Sequence, residues 1–543
     1  MLTDLTTYDG PAEVHADVAV VGGGAAGLTL ARELLGSGKK VVVLEGGGVD
    51  FDEATQSLYA GADLGMEYYP LEDSRLRFLG GTTNIWGGRC VPLQPLDFET
   101  RSWVPHSGWP VSYEDLDVYY QQAHADLELG DYDYSAELWA GLDTRAPDFD
   151  EGLFETLFWR FDEKRERFAS LAPEALAGDA NCQLFLHANV TALAASPDAD
   201  RLSGITATSL TGRSITVRAQ SYVLATGAIE NARLLLASNE VESEGIGNQH
   251  DQVGRYFMEH PHARIATVEH DDATIAYAVW AAFRKRFRVN ADPIAPVLLP
   301  SRELQKSEEI LNTALTFKLQ RPAKHGAPLN RRLYLSLKHQ LNPTKTGRAL
   351  WHSYRAGKAA LQRSLRDRFE RARVTMDLTQ LHIMVRAEQA PNPASRVVLG
   401  NKSDALGVPQ ANLDWQLNGQ DTHTLQVLNG VLEKEFRRLG VGELHPAAWL
   451  EDLEPGQVTA WPVDPSVGNH PIGGYHHMGT TRMSTDPRHG VVDADCRVHG
   501  YSNLYVAGSS VFPTGGWANP TLTIIALARR LGRHLTHQSN QAI

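Results

Sequence analysis

The sequence predicts an α/β protein with a Rossmann-like unit near its start and a sheet-plus-helix region in its middle. Three observations carry that prediction. A short apolar strand, a glycine turn, a helix and a second strand follow one another within residues 17–45. Another strand–turn–helix occupies residues 222–238, and glycine returns after Gly473 ahead of a strand at Leu504–Val506 and a last helix at Thr521–Leu535. Between about 265 and 465 the glycine turns fade, and alternating stretches such as Val374–Met384 and Arg396–Leu399 read as sheet.

Taken in order, Val18–Val21 is an apolar strand and Ala25–Leu35 a helix ended by Gly36–Lys39. Val41–Leu44 is the second strand, tipped by Glu45. Residues 72–90, rich in glycine, threonine and arginine, suit an ordered loop better than a regular element. Gly108–His124 reads as a turn followed by a helix. Strands are expected at Cys182–Phe185, Ile205–Ala207 and Tyr222–Ala225, the last passing through Gly227 into a helix at Glu230–Ser238. No internal repeat of solenoid length is visible.

The chain has 543 residues, of which 42% are apolar and 21% charged, values that suit a soluble globular protein of two domains. Its formal net charge of −14 argues against general nucleic-acid binding, which needs basic surface. Cys90, Cys182 and Cys496 lie far apart, with neither a metal spacing nor a disulfide framework, so a reducing compartment is expected. Met1–Ala16 is acidic and lacks the pattern of an export signal. Val18–Leu30 is too short and too glycine-rich to span a bilayer. The reading is a cytoplasmic protein.

One segment departs from the acidic average. Residues 321–373 hold fourteen Lys or Arg against two acids, Asp367 and Glu370, with Tyr334, Leu337, Leu350, Trp351 and Tyr354 interleaved. A solvated helical hairpin covering the middle region accounts for this pattern. A basic amphipathic surface that meets a membrane, an acidic partner or an anionic substrate accounts for it too.

Gly22-Gly23-Gly24-Ala25-Ala26-Gly27 is a G-x-G-x-x-G set between strand and helix. Gly22 permits the tight turn, Gly24 lets the backbone approach a pyrophosphate, and Gly27 lets helix and strand pack closely. The helix N-terminus, with Ala25 and Ala26, offers free N–H groups to the phosphates. Glu45, 18 positions after Gly27, is placed to accept hydrogen bonds from ribose hydroxyls and to repel a 2′-phosphate. The motif predicts dinucleotide binding without separating FAD from NAD.

Two further stretches narrow the reading. The first is Arg77-Phe78-Leu79-Gly80-Gly81-Thr82-Thr83-Asn84-Ile85-Trp86-Gly87-Gly88. The second runs Tyr475-His476-His477-Met478-Gly479-Thr480-Thr481-Arg482-Met483, then Leu504 to Ser509, then Asn519-Pro520-Thr521-Leu522-Thr523. With the N-terminal loop, these resemble the glucose–methanol–choline (GMC) family of FAD-dependent oxidoreductases over nearly the whole chain, least in the basic segment. The short final block looks most like the bacterial sugar and glycoside oxidoreductases of that family, pyranose-oxidase-like enzymes included.

The resemblance implies an FAD-binding domain from residues 1–268 and 466–543, with 90–175 reaching to the substrate side. It implies a substrate-binding domain from 269–465, carrying the basic helical insertion 321–373. It implies that His476, in the family's H-x-x-G-T, takes the proton of a substrate hydroxyl while hydride passes to the flavin. A neutral imidazole suits that role near pH 7. Asn519 falls on the family's second position, where an amide can hydrogen-bond the same oxygen. For His477 packing is expected, since adjacent residues rarely face one pocket.

Some relatives tether FAD through a histidine where this chain has Ile85, so the flavin is expected to be non-covalent. Gly80, Gly81, Thr82, Thr83, Asn84, Trp86 and Gly87 are expected around its ring. Val190 falls where relatives contact adenine through the backbone. Ala225 and Gly227 match the second strand–turn, and Ala507 and Gly508 the third, Ala507 at a position often acidic in the family. Asn519, Pro520 and Thr521 complete the expected cofactor contacts. In Met258-Glu259-His260-Pro261-His262 a turn is expected, and no metal.

The function so implied is oxidation of a small-molecule alcohol, a sugar or glycoside, to a carbonyl, with oxygen, a quinone or another carrier as electron acceptor. Three alternatives stay open: a lyase of the same fold with structural FAD, an oxidoreductase of aryl alcohols, and a subunit of a membrane-attached dehydrogenase docked through 321–373.

Overall fold

The computed structural model describes the chain except residues 143, 165, 171–175, 177, 271, 285, 321–342, 352, 355–356, 358–370, 377–378, 455, 459, 465–471 and 539–543. Two eight-stranded sheets organise it. The first has a parallel core of Leu2–Asp4, Cys182–Leu186, Val41–Leu44, Glu13–Val21 and Ser214–Leu224, in that spatial order. Leu202–Thr208 and Asn189–Ala195 extend it as an antiparallel edge, and Leu504–Val506 pairs in parallel with Tyr222–Leu224.

Core strands such as Val41–Leu44 and Leu504–Val506 are buried at every residue, because helices cover both faces of a parallel sheet. On one face the helix Thr521–His537 packs against Ala25–Glu33 and Tyr113–Asp126. Gly532 makes that approach close: a Cβ there would meet the Glu33 Cβ at 2.8 Å. Arg529 ties the three helices together through Glu33 at 3.2 Å and Asp126 at 2.8 Å.

The second sheet runs Glu443–Pro446, His262–Glu269, Gln380–Ala387, Thr313–Gln320, Asp292–Pro300, Phe154–Phe161, Arg89–Cys90, with Phe287–Val289 beside Asp292–Pro300. Every pairing in it is antiparallel. The pleat divides its residues. Phe317 packs outward on Phe283 of the helix Ala273–Arg284 and Phe436 of the helix Gly419–Arg438, at 5.2 and 6.1 Å between ring centroids. Its neighbours Thr316 and Lys318 face a central cavity.

Several elements differ in extent from the sequence expectation. Glu13–Val21 and Ser214–Leu224 are longer than their apolar cores, since their polar first halves pair with each other at the sheet's rim. The helix after Gly227 starts at Ala228. Val374 lies in a helical stretch, and the strand expected from there begins at Gln380, opposite Gln320 where its partner ends. Residues 72–90 are loop around one 3-10 turn, Gly81–Asn84.

The strand His262–Glu269 belongs to the second sheet. The basic stretch 321–373 lies largely outside the described residues. Within it residues 345–351 and 371–373 are helical, and Arg348 reaches Asp50 and Glu166 at 2.9 and 2.7 Å. Among the described residues no helix is long and apolar enough to cross a membrane.

Candidate active site

The two sheets enclose a cavity of about 1370 Å³. Along one wall, three helices begin at the cavity without a side-chain cap: Ala25–Glu33 after Gly24, Ala228–Ala237 after Gly227, and Thr521–His537 after Pro520. Their first-turn N–H groups are therefore left for a ligand, and each helix dipole favours negative charge there.

The glycine loop is shaped by close backbone approach. Gly22 has φ 108°, and a Cβ there would stand 2.5 Å from the Ala225 carbonyl oxygen. Gly27 faces its own strand, where a Cβ would meet the Gly22 oxygen at 2.0 Å. It thus packs the turn and does not line the cavity. Around Gly24 and Gly227 a Cβ would meet no atom within 4 Å, because both face open cavity.

Glu45 is buried at the end of its strand and lines the cavity. Its carboxylate accepts hydrogen bonds from the Gly23 and Gly47 amides, both at 2.8 Å. Burial raises its pKa against the pull of those two amides. The Gly80 loop is tied to the glycine loop by the Gly80 N–H, which donates to the Gly23 oxygen at 2.8 Å.

Asn84 does not line the cavity. Its amide turns back to donate to the Leu79 and Gly81 oxygens at 2.9 and 3.0 Å, which makes it a brace of the loop. Gly80, Gly81, Thr82, Thr83, Ile85, Trp86 and Gly87 do line it, as do Val190, Ala225, Ala507, Gly508, Asn519, Pro520 and Thr521.

His476 and Asn519 meet at the cavity, with His476 Nε2 3.1 Å from Asn519 Nδ2. On the other side of the ring, His476 Nδ1 lies 2.7 Å from His260 Nδ1, and His260 Nε2 lies 2.7 Å from the Gly516 carbonyl oxygen. The hydrogens follow from what each atom can do. A carbonyl only accepts, so His260 carries its proton on Nε2 and keeps a lone pair on Nδ1. His476 then donates from Nδ1, which leaves the Nε2 lone pair toward Asn519 and the cavity. Burial pulls His260 down to about 4, so it stays neutral at ordinary pH.

Backbone constraints fix where that ring stands. The Glu259 carboxylate accepts from the His476 N–H at 2.8 Å, the Gly474 N–H at 3.1 Å and the His260 N–H at 2.8 Å. The Tyr68 hydroxyl donates to it at 2.6 Å. Tyr475 is held at φ 62°, a left-handed conformation rare for an aromatic residue, and Gly479 at φ 88°. A Cβ at Gly479 would come within 2.1 Å of the Tyr256 oxygen. His477 is buried and hydrogen-bonds the Tyr68 hydroxyl at 2.9 Å, yet it too is among the residues that line the cavity, next to His476.

Sequence reasoning missed Glu259 and His260 as parts of this site. The available signal was two adjacent hydrogen-bonding residues before a proline, read as a turn. A separation of 216 positions between His260 and His476 hides the pairing from any local pattern.

The FAD dependent oxidoreductase family model matches residues 17–294, and the GMC oxidoreductase model matches residues 391–528. The chain is 26% identical to a 6'''-hydroxyparomomycin C oxidase of Streptomyces lividus, over 96% of this chain and 92% of that protein. It is 25% identical to a paromamine 6'-oxidase of Streptomyces fradiae, over 96% and 93%. A C-glycoside 3-oxidase of Microbacterium trichothecenolyticum is 31% identical over 25% of this chain and 23% of its own. Among solved structures, a formate oxidase of Aspergillus oryzae superposes with a TM-score of 0.53 over 97% of this chain and 99% of its own, at 16% identity, which shows the shared fold.

Proposed function

The chain belongs to the FAD dependent oxidoreductases, with a GMC oxidoreductase C-terminal part, and oxidises a hydroxyl group; on that footing we propose that His476 takes the hydroxyl proton and that the substrate is a sugar or glycoside. Relatives named as oxidases of paromamine, 6'''-hydroxyparomomycin C and C-glycosides support the substrate class. The observation that carries the role of His476 is its hydrogen-bonded row, which leaves the Nε2 lone pair beside the Asn519 amide.

The residues present fit FAD. Gly24 and Gly227 leave empty the space that a side chain would fill, and uncapped helix starts face the same space. Gly22, Gly24, Ala25 and Ala26 would hold the pyrophosphate, Glu45 the ribose, and the Val190 backbone the adenine. The loop from Gly80 to Gly87, with Ala507, Gly508 and Asn519–Thr521, would hold the flavin. Ile85 presents an aliphatic side chain, so the flavin is held without a covalent bond at that position. When bound, FAD supplies the acceptor for the substrate's hydride.

The protein's own part is acid–base and geometric. His476 Nε2 receives the hydroxyl proton, and the imidazolium so formed stabilises developing alkoxide charge. Asn519 Nδ2 orients the substrate oxygen without competing for the proton. His260 is a positioning residue that keeps the His476 tautomer with its basic nitrogen forward, and Glu259 fixes the backbone of both.

The test is anaerobic mixing of the FAD-loaded protein with sugars, glycosides and aryl alcohols while flavin absorbance is followed, then re-oxidation with oxygen or a dye. Bleaching by a sugar or glycoside supports the reading. If no alcohol bleaches the flavin, it fails.

A further inference from the structure

The walls of the cavity differ in charge. The carboxylates among its described lining residues, Glu45, Glu53, Glu72, Asp73 and Glu230, all lie off the antiparallel sheet, and Arg75 and Arg77, also lining the cavity, pair with Glu230. The antiparallel sheet and its edge contribute Arg89, Arg286, Lys318 and Arg386, and no acid among the described lining residues. The three arginines gather round two aromatic rings. Arg386 Cζ lies 5.7 Å from the Trp159 ring centroid and Arg89 Cζ 5.3 Å from it, while Arg286 Cζ stands 3.8 Å over Phe161.

Arg386 carries the argument. It sits on the strand Gln380–Ala387, opposite Ala314 on one side and His262 on the other, and its side chain lines the cavity. Among the described residues it has no hydrogen bond and no ion pair. Burial, with no carboxylate to oppose it, pulls the guanidinium down to about 10, which still leaves it charged at neutral pH. An enclosed cation without a counter-charge is costly to keep, so a protein that retains one in a ligand cavity has an anion to put there.

That anion is not the cofactor's pyrophosphate, for which the uncapped helix at Gly24 stands on the opposite sheet. Arg386 is instead near the proton-accepting end, since it pairs across the sheet with His262, two residues after the His260 that contacts His476. We propose that Arg386 anchors an anionic group on the substrate, so that the alcohol oxidised at His476 carries a carboxylate or a phosphate. The fork of a guanidinium pairs with either group through two parallel hydrogen bonds. The proposal rests on the alcohol-oxidising reading and narrows its substrate class. It also separates this chain from its paromamine-oxidising relative, because an ammonium-bearing ligand would be repelled by these cations.

The test uses the full-length FAD-loaded protein and two sets of ligands that differ in charge: glucose, glucuronate and glucose 6-phosphate, and glycerol, glycerate and glycerol 3-phosphate. Dissociation constants come from calorimetry at low and high salt, for the wild type, Arg386→Gln and Arg386→Lys. The expected result is a charged member binding about tenfold or more tightly than its neutral twin, an advantage that shrinks with salt and collapses in Arg386→Gln. Arg386→Lys should keep part of it, having charge without the fork. The carboxylate and phosphate arms identify the group.

Equal binding of charged and neutral members overturns the proposal, as does an advantage that survives Arg386→Gln. So does a shift of the flavin midpoint potential in Arg386→Gln without loss of charge preference, which would assign the cation to the cofactor. FAD content and melting temperature report whether Arg386→Gln folds; if it does not, the wild-type salt dependence and Arg386→Lys still decide. Flavin bleaching by neutral and charged alcohols at equal affinity sinks the anion site and leaves alcohol oxidation standing. Selective binding of the anion with no bleaching by any alcohol does the reverse.

Discussion

His260 Nδ1 stands 2.7 Å from His476 Nδ1, and a single carbonyl, that of Gly516, decides the direction of the hydrogen bond between them. The ring that lines the cavity is thus oriented by one that does not line it.

Replacing His260 tests that relation. His260→Leu removes the acceptor, and kcat should fall roughly 10- to 100-fold with FAD content unchanged. His260→Asn, whose amide oxygen can accept the same hydrogen bond, should recover most of the loss. His260→Asp should move the acid limb of kcat/KM to higher pH, since a neighbouring carboxylate makes His476 easier to protonate and so removes the base. A leucine variant with wild-type rate and pH profile would show that the contact is packing only.

At the cavity itself, His476→Ala should retain FAD and slow flavin reduction by about 10²- to 10⁴-fold. Asn519→Ala should cost about tenfold, felt in kcat more than in KM if the amide acts on the reacting oxygen. Stopped-flow reduction under anaerobic conditions separates the two. Loss of bound FAD in place of slowed reduction would move Asn519 from the substrate to the cofactor.

Gly479→Ala should destabilise the protein by on the order of 1–3 kcal/mol or more, from a left-handed backbone and a Cβ pressed onto the Tyr256 oxygen. Thermal denaturation measures this. An unchanged melting temperature would mean that the turn relaxes freely.

His477 gives stability a pH dependence. Burial, aided by the charge of Arg75, pulls it down to about 3 from an ordinary 6.5. The unfolded chain takes up this proton near pH 6.5 and the folded one resists. The contribution is therefore complete above 6.5 and is lost as pH falls toward 3. Between pH 6.5 and 4.5 the wild type should lose about 2–3 kcal/mol relative to His477→Gln. Parallel stability curves for the two proteins over that range would refute it.

Local chemistry made much of this legible in the sequence. Gly22, Gly24 and Glu45 act within one βαβ unit, so their spacing encodes their placement, and Val41–Leu44 and Leu504–Val506 have the extents expected from their apolar runs. The helix Gly419–Arg438 carries a local signal too, since Asn418 and Asp421 form a capping box and Leu425, Leu428, Leu432 and Phe436 a buried stripe. Asn84 departs from the expected cofactor contact because its amide has a choice between cavity and loop that only the fold resolves. The hydrogen-bond direction through His260 and the unpaired charge of Arg386 are tertiary facts. Each depends on segments brought together from more than a hundred residues apart.

The pairing of Leu504–Val506 with Tyr222–Leu224 also sets an order of events during synthesis. The wall formed by Ala507, Gly508 and Asn519–Thr521 leaves the ribosome after nearly everything it must close upon. A nascent chain can form its glycine loop early but cannot enclose a flavin until this distant strand inserts. Such non-local pairing makes cofactor capture a late and slow step.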